Sequence, residues 1–132
     1  MKEIISIIFA VLVSVSARAQ TYSFGEIINF EQGVSFSVEG INITFLGKYQ
    51  SKHPPHLKSS FKIEKSKNIV NVDYVHSGEV FPEKFSLLNN EYMLELDSSL
   101  ARGIQLEERQ VIIWPVVKWN KLYESRINLS NE

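Results

Sequence analysis

The chain has 132 residues, with 14 basic and 15 acidic side chains and a formal net charge of −1. This length suits one ordinary domain, and the balanced charge excludes the strongly basic profile of a nucleic-acid binder. The sequence contains no cysteine, which also excludes disulfides and a lipidated N-terminal cysteine.

The N-terminus has the pattern of an export signal. A basic residue precedes an apolar run, Ile4–Val15, and small residues, Ala17 and Ala19, occupy the positions that a signal peptidase recognises. The run is shorter than the ~20 residues that a membrane-spanning helix needs. We therefore predict a signal peptide over 1–19 and a single β-domain over 20–132. The product is expected to be secreted or periplasmic, with a Gram-negative bacterium favoured, and to have no stable membrane span after processing.

The composition after the leader favours sheets over helices. It includes a single alanine, Ala101, whereas Val, Ile, Thr, Phe, Tyr and Trp supply 35 residues. Helices favour alanine, and pleated sheets favour β-branched and aromatic side chains. We predict an all-β fold of about seven or eight short strands. Either a small antiparallel β-sandwich of immunoglobulin-like type or a closed barrel fits this pattern.

In chain order, an opening strand is expected near Tyr22–Ile28, and a hairpin follows it. Apolar and polar residues alternate on both sides of Glu39-Gly40, which is the period-two pattern of a half-buried strand. A two-residue loop at this position gathers the apolar side chains on one face. The predicted cross-strand pairs are Val38 with Ile41, Phe36 with Ile43, and Val34 with Phe45.

A second hairpin is predicted around Asn89-Asn90, because asparagine tolerates the positive φ angles of tight turns. This turn pairs Leu87 with Tyr92 and Phe85 with Leu94, and again forms one apolar face.

A third hairpin has a weaker pattern, with strands at 61–64 and 69–75 joined by a loop at 65–68. Its second strand places three apolar residues on one side, namely Val70, Val72 and Tyr74.

The C-terminal part begins with a connection over 97–109, which we expect to contain a helical turn around 106–108. A strand is predicted from Gln110 to about Trp114. The following segment, 116–124, fits either a short helix lined by Val116, Trp119 and Tyr123 or a continued strand. The aromatic residues Trp114, Trp119 and Tyr123 fit either a binding platform or core packing.

Charge is segregated along the sequence. Residues 48–67 contain six lysines and one acid, Glu64, together with His53 and His56. A concentrated cationic segment suits an anionic glycan, a phosphate group or an acidic protein. The alternative is a solvated connection whose lysines protect an edge strand. The predicted binding residues are Lys52, His53, His56 and Lys58.

The two histidines of this segment flank two prolines, as His53-Pro54-Pro55-His56. A polyproline II conformation, with its rise of ~3.1 Å per residue, separates the histidines by about 9 Å. That spacing is poor for one ion, and chelation would need a sharp turn and a distant third ligand such as His76. No metal and no cofactor are therefore predicted.

A hydrolase triad is suggested locally by Asp73, His76 and Ser77. In an extended strand, however, Asp73 and His76 point to opposite faces. No Gly-x-Ser-x-Gly elbow surrounds Ser77. A triad can also assemble from distant segments, so the local pattern does not decide the question.

The leading prediction is a non-enzymatic binding or interaction module of the cell envelope, which uses the Lys/His-rich segment. One alternative is an inhibitor or immunity protein against a secreted enzyme. Another is a small hydrolase or metal-dependent enzyme with residues from separate strands, His76 and one or two carboxylates being the first candidates. A cleft with two titratable groups within hydrogen-bond reach would favour the enzyme.

Overall fold

The structure is a computed structural model that describes residues 20–52, 55–76 and 81–130. Within these ranges the chain is mostly β, with one C-terminal helix and several open sheets. The predicted all-β fold is confirmed in part, because the described residues are mostly β with one C-terminal helix, and the arrangement is consistent with a β-sandwich. The closed-barrel alternative is wrong, because the described strands do not close on themselves.

Most of the described elements are short strands. In chain order they are β1 (Thr21–Tyr22), β2 (Ile28–Asn29), β3 (Ser35–Val38), β4 (Ile41–Gln50), β5 (Leu57–Lys65), β6 (Asn68–His76), β7 (Glu83–Leu87), β8 (Asn90–Glu95), β9 (Ser98–Ser99), β10 (Ile104–Gln105), β11 (Gln110–Pro115) and α1 (Val116–Ser130).

The strands form two main sheets. A five-stranded sheet has the order β1-β3-β4-β5-β6, and a four-stranded sheet has the order β2-β11-β8-β7. Strands β9 and β10 form a separate short ladder. The pairing of β1 with β3 is parallel, and the other strand pairs are antiparallel.

The main core lies between the two large sheets. Burial alternates along β4 and β5, so every second side chain points into this core. At one end, Phe30 packs edge-on against Phe45 and Phe61, with ring centroids 5.0 and 5.4 Å apart. The buried members are Ile28, Phe30, Phe36, Val38, Ile41, Ile43, Phe45, Phe61, Ile63, Val72, Tyr74, Phe85, Leu87, Tyr92, Leu94, Leu96, Val111 and Ile113.

A smaller core lies on the other face of the four-stranded sheet. Here α1 and the connection after β8 cover β11. The buried members of this second core are Ala101, Leu106, Ile112, Trp114 and Trp119.

The first predicted hairpin is confirmed near its turn and wrong at its far end. Val38 pairs with Ile41 and Phe36 with Ile43. Val34, however, is 57% exposed and lies before β3. The chain has already left the ladder there, and the backbone amide of Gly33 donates to the carbonyl of Phe45.

The second hairpin turns one residue earlier than predicted. Leu88 and Asn89 have φ angles of 49° and 65°, and Phe85 pairs with Tyr92 rather than with Leu94. The buried apolar face is nevertheless the predicted one, because the slip changes each partner by two residues and a strand repeats its faces every two residues.

The third hairpin has a tighter turn than predicted. Ser66 and Lys67 form it, with φ angles of 49° and 70°, and Asn68 already belongs to β6. Val72 and Tyr74 are buried as predicted, and Val70 is partly buried.

The opening segment is not one strand. Its two ends form β1 and β2, which lie in different sheets. Gly25, with φ 86°, redirects the chain between them and passes so close to Trp114 that an added Cβ would lie 2.9 Å from ring atom Cζ3.

The C-terminal predictions have mixed outcomes. The strand from Gln110 is confirmed, and 116–124 lies within the helix α1. The helical turn at 106–108 is wrong, because a reverse turn closed by Gln110 N and the Glu107 carbonyl occupies that position.

Candidate functional site

One end of the sandwich contains a cavity of about 210 Å³. Strand pairing brings its walls together, since Lys48 lies opposite Ser59 and Leu57 lies opposite His76. We call this space the end cavity. Its lining residues are Phe30, Lys48, Ser59, His76, Leu96, Asp97, Glu107, Glu108, Arg109 and Gln110.

A bulge in β4 brings Lys48 to this cavity. The ladder register shifts between Phe45 and Gly47, so Leu46 is an extra residue. Gly47 has φ 133°, a conformation that favours glycine. Without the bulge, the alternation that buries Ile43 and Phe45 would direct Lys48 to the outer face of the sheet.

Three side chains in this end cavity form a continuous hydrogen-bonded chain. The Ser59 Oγ lies 2.6 Å from His76 Nε2, and His76 Nδ1 lies 2.7 Å from Asp97 Oδ2. With a neutral imidazole protonated at Nδ1, His76 donates a hydrogen bond to Asp97 and accepts one from the Ser59 hydroxyl. Hydroxyl, imidazole and carboxylate follow one another in the order that activates a serine nucleophile.

Solvent exposure increases along this chain. Ser59 is 1% exposed, whereas the side chains of His76 and Asp97 are 15% and 44% exposed. A molecule that reaches Ser59 Oγ must therefore enter through the end cavity, and bulk solvent reaches the carboxylate first.

The sequence contains no local signal for Ser59. It lies 17 positions before His76, and only the register of β5 and β6 brings the two residues together. The triad suggested by Asp73, His76 and Ser77 is not the one formed in the described residues. Asp73 is exposed on the outer face, opposite to His76 as the alternation predicts, and Ser77 lies outside the described residues.

One residue of the end cavity has a strained backbone. Asp97 has a φ angle of 65°, whereas the other described non-glycine residues with positive φ lie in the three hairpin turns or, as Arg109 with φ 67°, in the reverse turn at 107–110. Conformations of this kind cost of order 1 kcal/mol or more and are frequent at functional sites. The Arg109 carbonyl accepts a hydrogen bond from Phe30 N, and its guanidinium lies 5.8 Å from the Phe45 ring centroid.

A second cavity of about 470 Å³ adjoins the end cavity and shares Phe30 and Arg109 with it. Its size is within the usual range of small-molecule sites, ~300–1,000 Å³. Tyr22, Val34 and Phe36 contribute apolar surface. The exposed Val34, which fails to join the first hairpin, therefore lines a cavity wall instead.

Three of the four predicted binding residues lie beside this end of the two sheets, on the β4–β5 hairpin. Lys52 is exposed in the connecting loop, and His56 is half-buried where its amide and carbonyl bond to Ser51. Lys58 is half-buried on the outer face of β5, directly opposite Tyr49. His53, the fourth predicted residue, lies outside the described residues.

The six lysines of residues 48–67 do not form one patch in space. Lys65 and Lys67 lie at the β5–β6 turn. Nine residues of β5, with a rise of ~3.3 Å each, separate that turn from the β4–β5 loop by about 30 Å. Lys52, His56 and Lys58 are thus one basic group, which we call the basic tip.

The outer face next to the basic tip carries a polar network. The Tyr49 hydroxyl donates to Asp73 Oδ2 at 2.7 Å, and this hydrogen bond raises the pKa of Tyr49 above its usual value. Burial, followed by the charge of Asp73, raises the pKa of Glu83 on β7.

A different carboxylate, Glu95, is almost fully buried at 1% exposure. Its two oxygens accept five hydrogen bonds from the second core and the connection after β8. The donors are Trp114 Nε1 at 2.6 Å, Trp119 Nε1 at 2.9 Å, Ser99 Oγ at 2.7 Å, Leu100 N at 2.9 Å and Ala101 N at 3.3 Å.

This arrangement gives Glu95 a structural role, because every donor comes from the protein and none faces solvent. It also settles the position of the two tryptophans. Trp114 and Trp119 are core residues, 3% and 7% exposed, rather than an open aromatic platform.

Across residues 20–52, 55–76 and 81–130, no three His, Cys, Asp or Glu side chains converge as a set of metal ligands. No helix in the same ranges is long and apolar enough to cross a membrane. No family model, curated protein or solved structure matches the chain.

Proposed function

We propose that the protein is an exported binding module that docks an acidic protein through the basic tip. The observation that carries this proposal is the direct pairing of Tyr49 with Lys58. The tyrosine is 43% exposed, so the two residues are ladder partners on an open face of the sheet. Aromatic side chains supply contact area at interfaces, and charges steer the encounter.

One neighbouring side chain extends this surface. Leu46, the extra residue of the bulge, is 48% exposed and precedes Tyr49 by three positions on β4. Leu57 is 43% exposed but lies on the cavity side of β5, opposite His76. Lys52 and Lys58 form no ion pair with any described residue. Their charges are available to a partner, and Tyr49 and Leu46 supply area.

The shape favours a protein over the other predicted ligands. The basic tip and Tyr49 lie on a sheet face and a loop, whereas small ligands such as a phosphate or a sugar are usually held by polar groups that converge in a concave site. If the partner is a secreted enzyme, this docking makes the protein its inhibitor or immunity protein.

Export is part of the same proposal and rests on the leader pattern of residues 1–19. The processed protein is expected to begin at Gln20. Intact-mass measurement on the periplasmic or secreted fraction tests this, and recovery of the full precursor in the cytoplasm would contradict it.

A charge-reversal pair tests the docking surface. The variant Lys52→Glu with Lys58→Glu changes the basic tip. The matched control, Lys65→Glu with Lys67→Glu, makes the same change in charge at the far end of the same strand. Each purified protein is immobilised and incubated with envelope proteins, at low and at physiological salt.

The wild type and the control are expected to retain one stoichiometric acidic protein, which the basic-tip variant loses. Salt should weaken the retention, because exposed charges are screened. Equal retention by all three proteins, or no retained protein with any of them, would contradict the proposal.

A further inference from the structure

We propose that the Ser59–His76–Asp97 chain is a hydrolytic site for short acyl esters. This activity goes beyond the binding function and uses a different surface, since the basic tip lies outside the end cavity. Ser59 and His76 are assigned as catalytic residues, and Asp97 as the residue that positions the imidazole.

Ser59, His76 and Asp97 present the bonded atoms that a serine nucleophile requires. A nucleophilic serine needs a base within about 2.6–3.2 Å, and the base needs a third group that fixes its orientation. Ser59 Oγ meets His76 Nε2 at 2.6 Å, and Asp97 Oδ2 meets the opposite nitrogen at 2.7 Å. Both conditions are met by residues from three separate segments of the chain.

The backbone of Asp97 marks the same cavity independently of these hydrogen bonds. Asp97 lines the end cavity and has a positive φ angle outside the hairpin turns, whereas the positive φ of Arg109 belongs to the reverse turn at 107–110. A strained backbone persists only where its surroundings hold it, and such residues are concentrated at active sites. The strain therefore marks the same cavity that the hydrogen-bonded chain marks.

The chemistry needs no further reactant than ester and water. His76 Nε2 removes the hydroxyl proton while Ser59 Oγ forms a bond to the carbonyl carbon. The carbon–oxygen bond to the alcohol then breaks, and the alcohol leaves with the proton from His76. Water repeats the sequence on the acyl-serine, releasing the acid and restoring the Ser59 hydroxyl.

The cavity limits the substrate class. Ser59 is 1% exposed, and the space in front of it is about 210 Å³, so a short acyl group is the natural occupant. Lys48 and Arg109 line the same space, as do Glu107 and Glu108, and Lys48 pairs with Glu108 at 3.8 Å. Arg109 forms no ion pair with any described residue, and its guanidinium supplies donors of the kind that stabilise the negative charge on the carbonyl oxygen in the transition state.

A fluorophosphonate probe tests the nucleophile directly. An activated serine forms a phosphorus–oxygen bond with the probe and releases fluoride, and peptide mass spectrometry then locates the adduct. The variant Ser59→Ala removes the hydroxyl. Ser60→Ala is the matched control, because Ser60 is the next residue of β5 and faces the outer side of the sheet.

The role of Asp97 is tested by its substitution. Asp97→Asn keeps the side-chain size and tolerates positive φ, but it loses the carboxylate that orients His76. Labelling is expected to slow by at least tenfold in Asp97→Asn, with partial rescue in Asp97→Glu. Asp97→Glu is expected to melt at a lower temperature than Asp97→Asn, because glutamate is less suited than asparagine to φ 65°. A merely structural aspartate would not give faster labelling in the less stable of the two variants.

The proposal predicts an adduct on Ser59 that is absent from Ser59→Ala and retained in Ser60→Ala. If Ser59→Ala does not fold, the proposal is tested by the position of the adduct in the wild type and by the labelling rates of the two Asp97 variants. No adduct on Ser59 in the folded wild type overturns the proposal. An adduct that forms equally fast in Asp97→Asn overturns it too. Binding by the basic tip is measured separately and is unaffected by either result.

Discussion

Two polar networks among the described residues differ in how their carboxylates are hydrogen-bonded. Glu95 is 1% exposed and accepts five hydrogen bonds. Asp97 lies two residues later, is 44% exposed, and bonds His76 at the mouth of a cavity. Two carboxylates that are two positions apart in the sequence therefore belong to different networks. We call the buried network of Glu95 closed and the solvent-accessible network of Asp97 open.

The difference separates a structural role from a reactive one. A carboxylate with all its lone pairs occupied holds the elements around it and has no capacity for a further partner. Glu95 thus fixes α1, β11 and the loop after β8 to one another. The open network ends in a hydroxyl that faces a cavity, and that hydroxyl can exchange its hydrogen-bond partner.

The largest expected effect is the loss of the closed network. In Glu95→Gln, the side-chain NH₂ replaces a carboxylate oxygen that accepted hydrogen bonds, so donors face donors in a buried site. We expect the free energy of unfolding to fall by about 3–5 kcal/mol. Asp97→Asn makes the same chemical change in the open network and should lower the free energy of unfolding by less than about 1 kcal/mol. Urea unfolding followed by tryptophan fluorescence measures both. Equal losses would show that the two networks do not differ in this way.

A smaller effect is expected from two glycines, one in each region. Gly25→Ala places a Cβ 2.9 Å from Trp114 in the closed region, in addition to straining a backbone at φ 86°. Gly33→Ala, beside the open end, has φ 79° but no atom within 4 Å of the added Cβ. We expect losses of about 2–3 and about 1 kcal/mol. Thermal unfolding of both variants tests this. If the Gly33 variant is as unstable as the Gly25 variant, the contact with Trp114 does not account for the loss.

The sequence predicts the strand-rich class and the faces of the hairpins, because alternation directly records which side chains are buried. Phe36, Val38, Ile41 and Ile43 are placed correctly by that pattern alone. The sequence does not predict the turn at Leu88-Asn89. Two asparagines favour a turn at Asn89-Asn90 instead, and Leu88 adopts a positive φ that leucine rarely takes.

The candidate site is harder to predict than the fold. Ser59 is one of several serines in the sequence, and its partner is set by the register of β5 and β6. The bulge that turns Lys48 into the cavity has no sequence signal stronger than a single glycine. Sites assembled across strands depend on pairing, which a local pattern does not record.

A third carboxylate, Glu83, lies between the two extremes and gives the smallest expected effect. Burial and the charge of Asp73 raise its pKa, so the folded state binds its proton more tightly than the unfolded state does. At a pH above the pKa that Glu83 has in the unfolded chain, its ionised carboxylate therefore lowers the free energy of unfolding. This destabilisation disappears as the pH falls below that pKa.

Glu83→Gln should accordingly be more stable than wild type at pH 7, by less than about 1 kcal/mol, and equal to it near pH 3. Denaturant titrations at the two pH values measure the difference. A variant that is less stable than wild type at pH 7 would show that Glu83 is satisfied as Glu95 is, and would move it into the closed class.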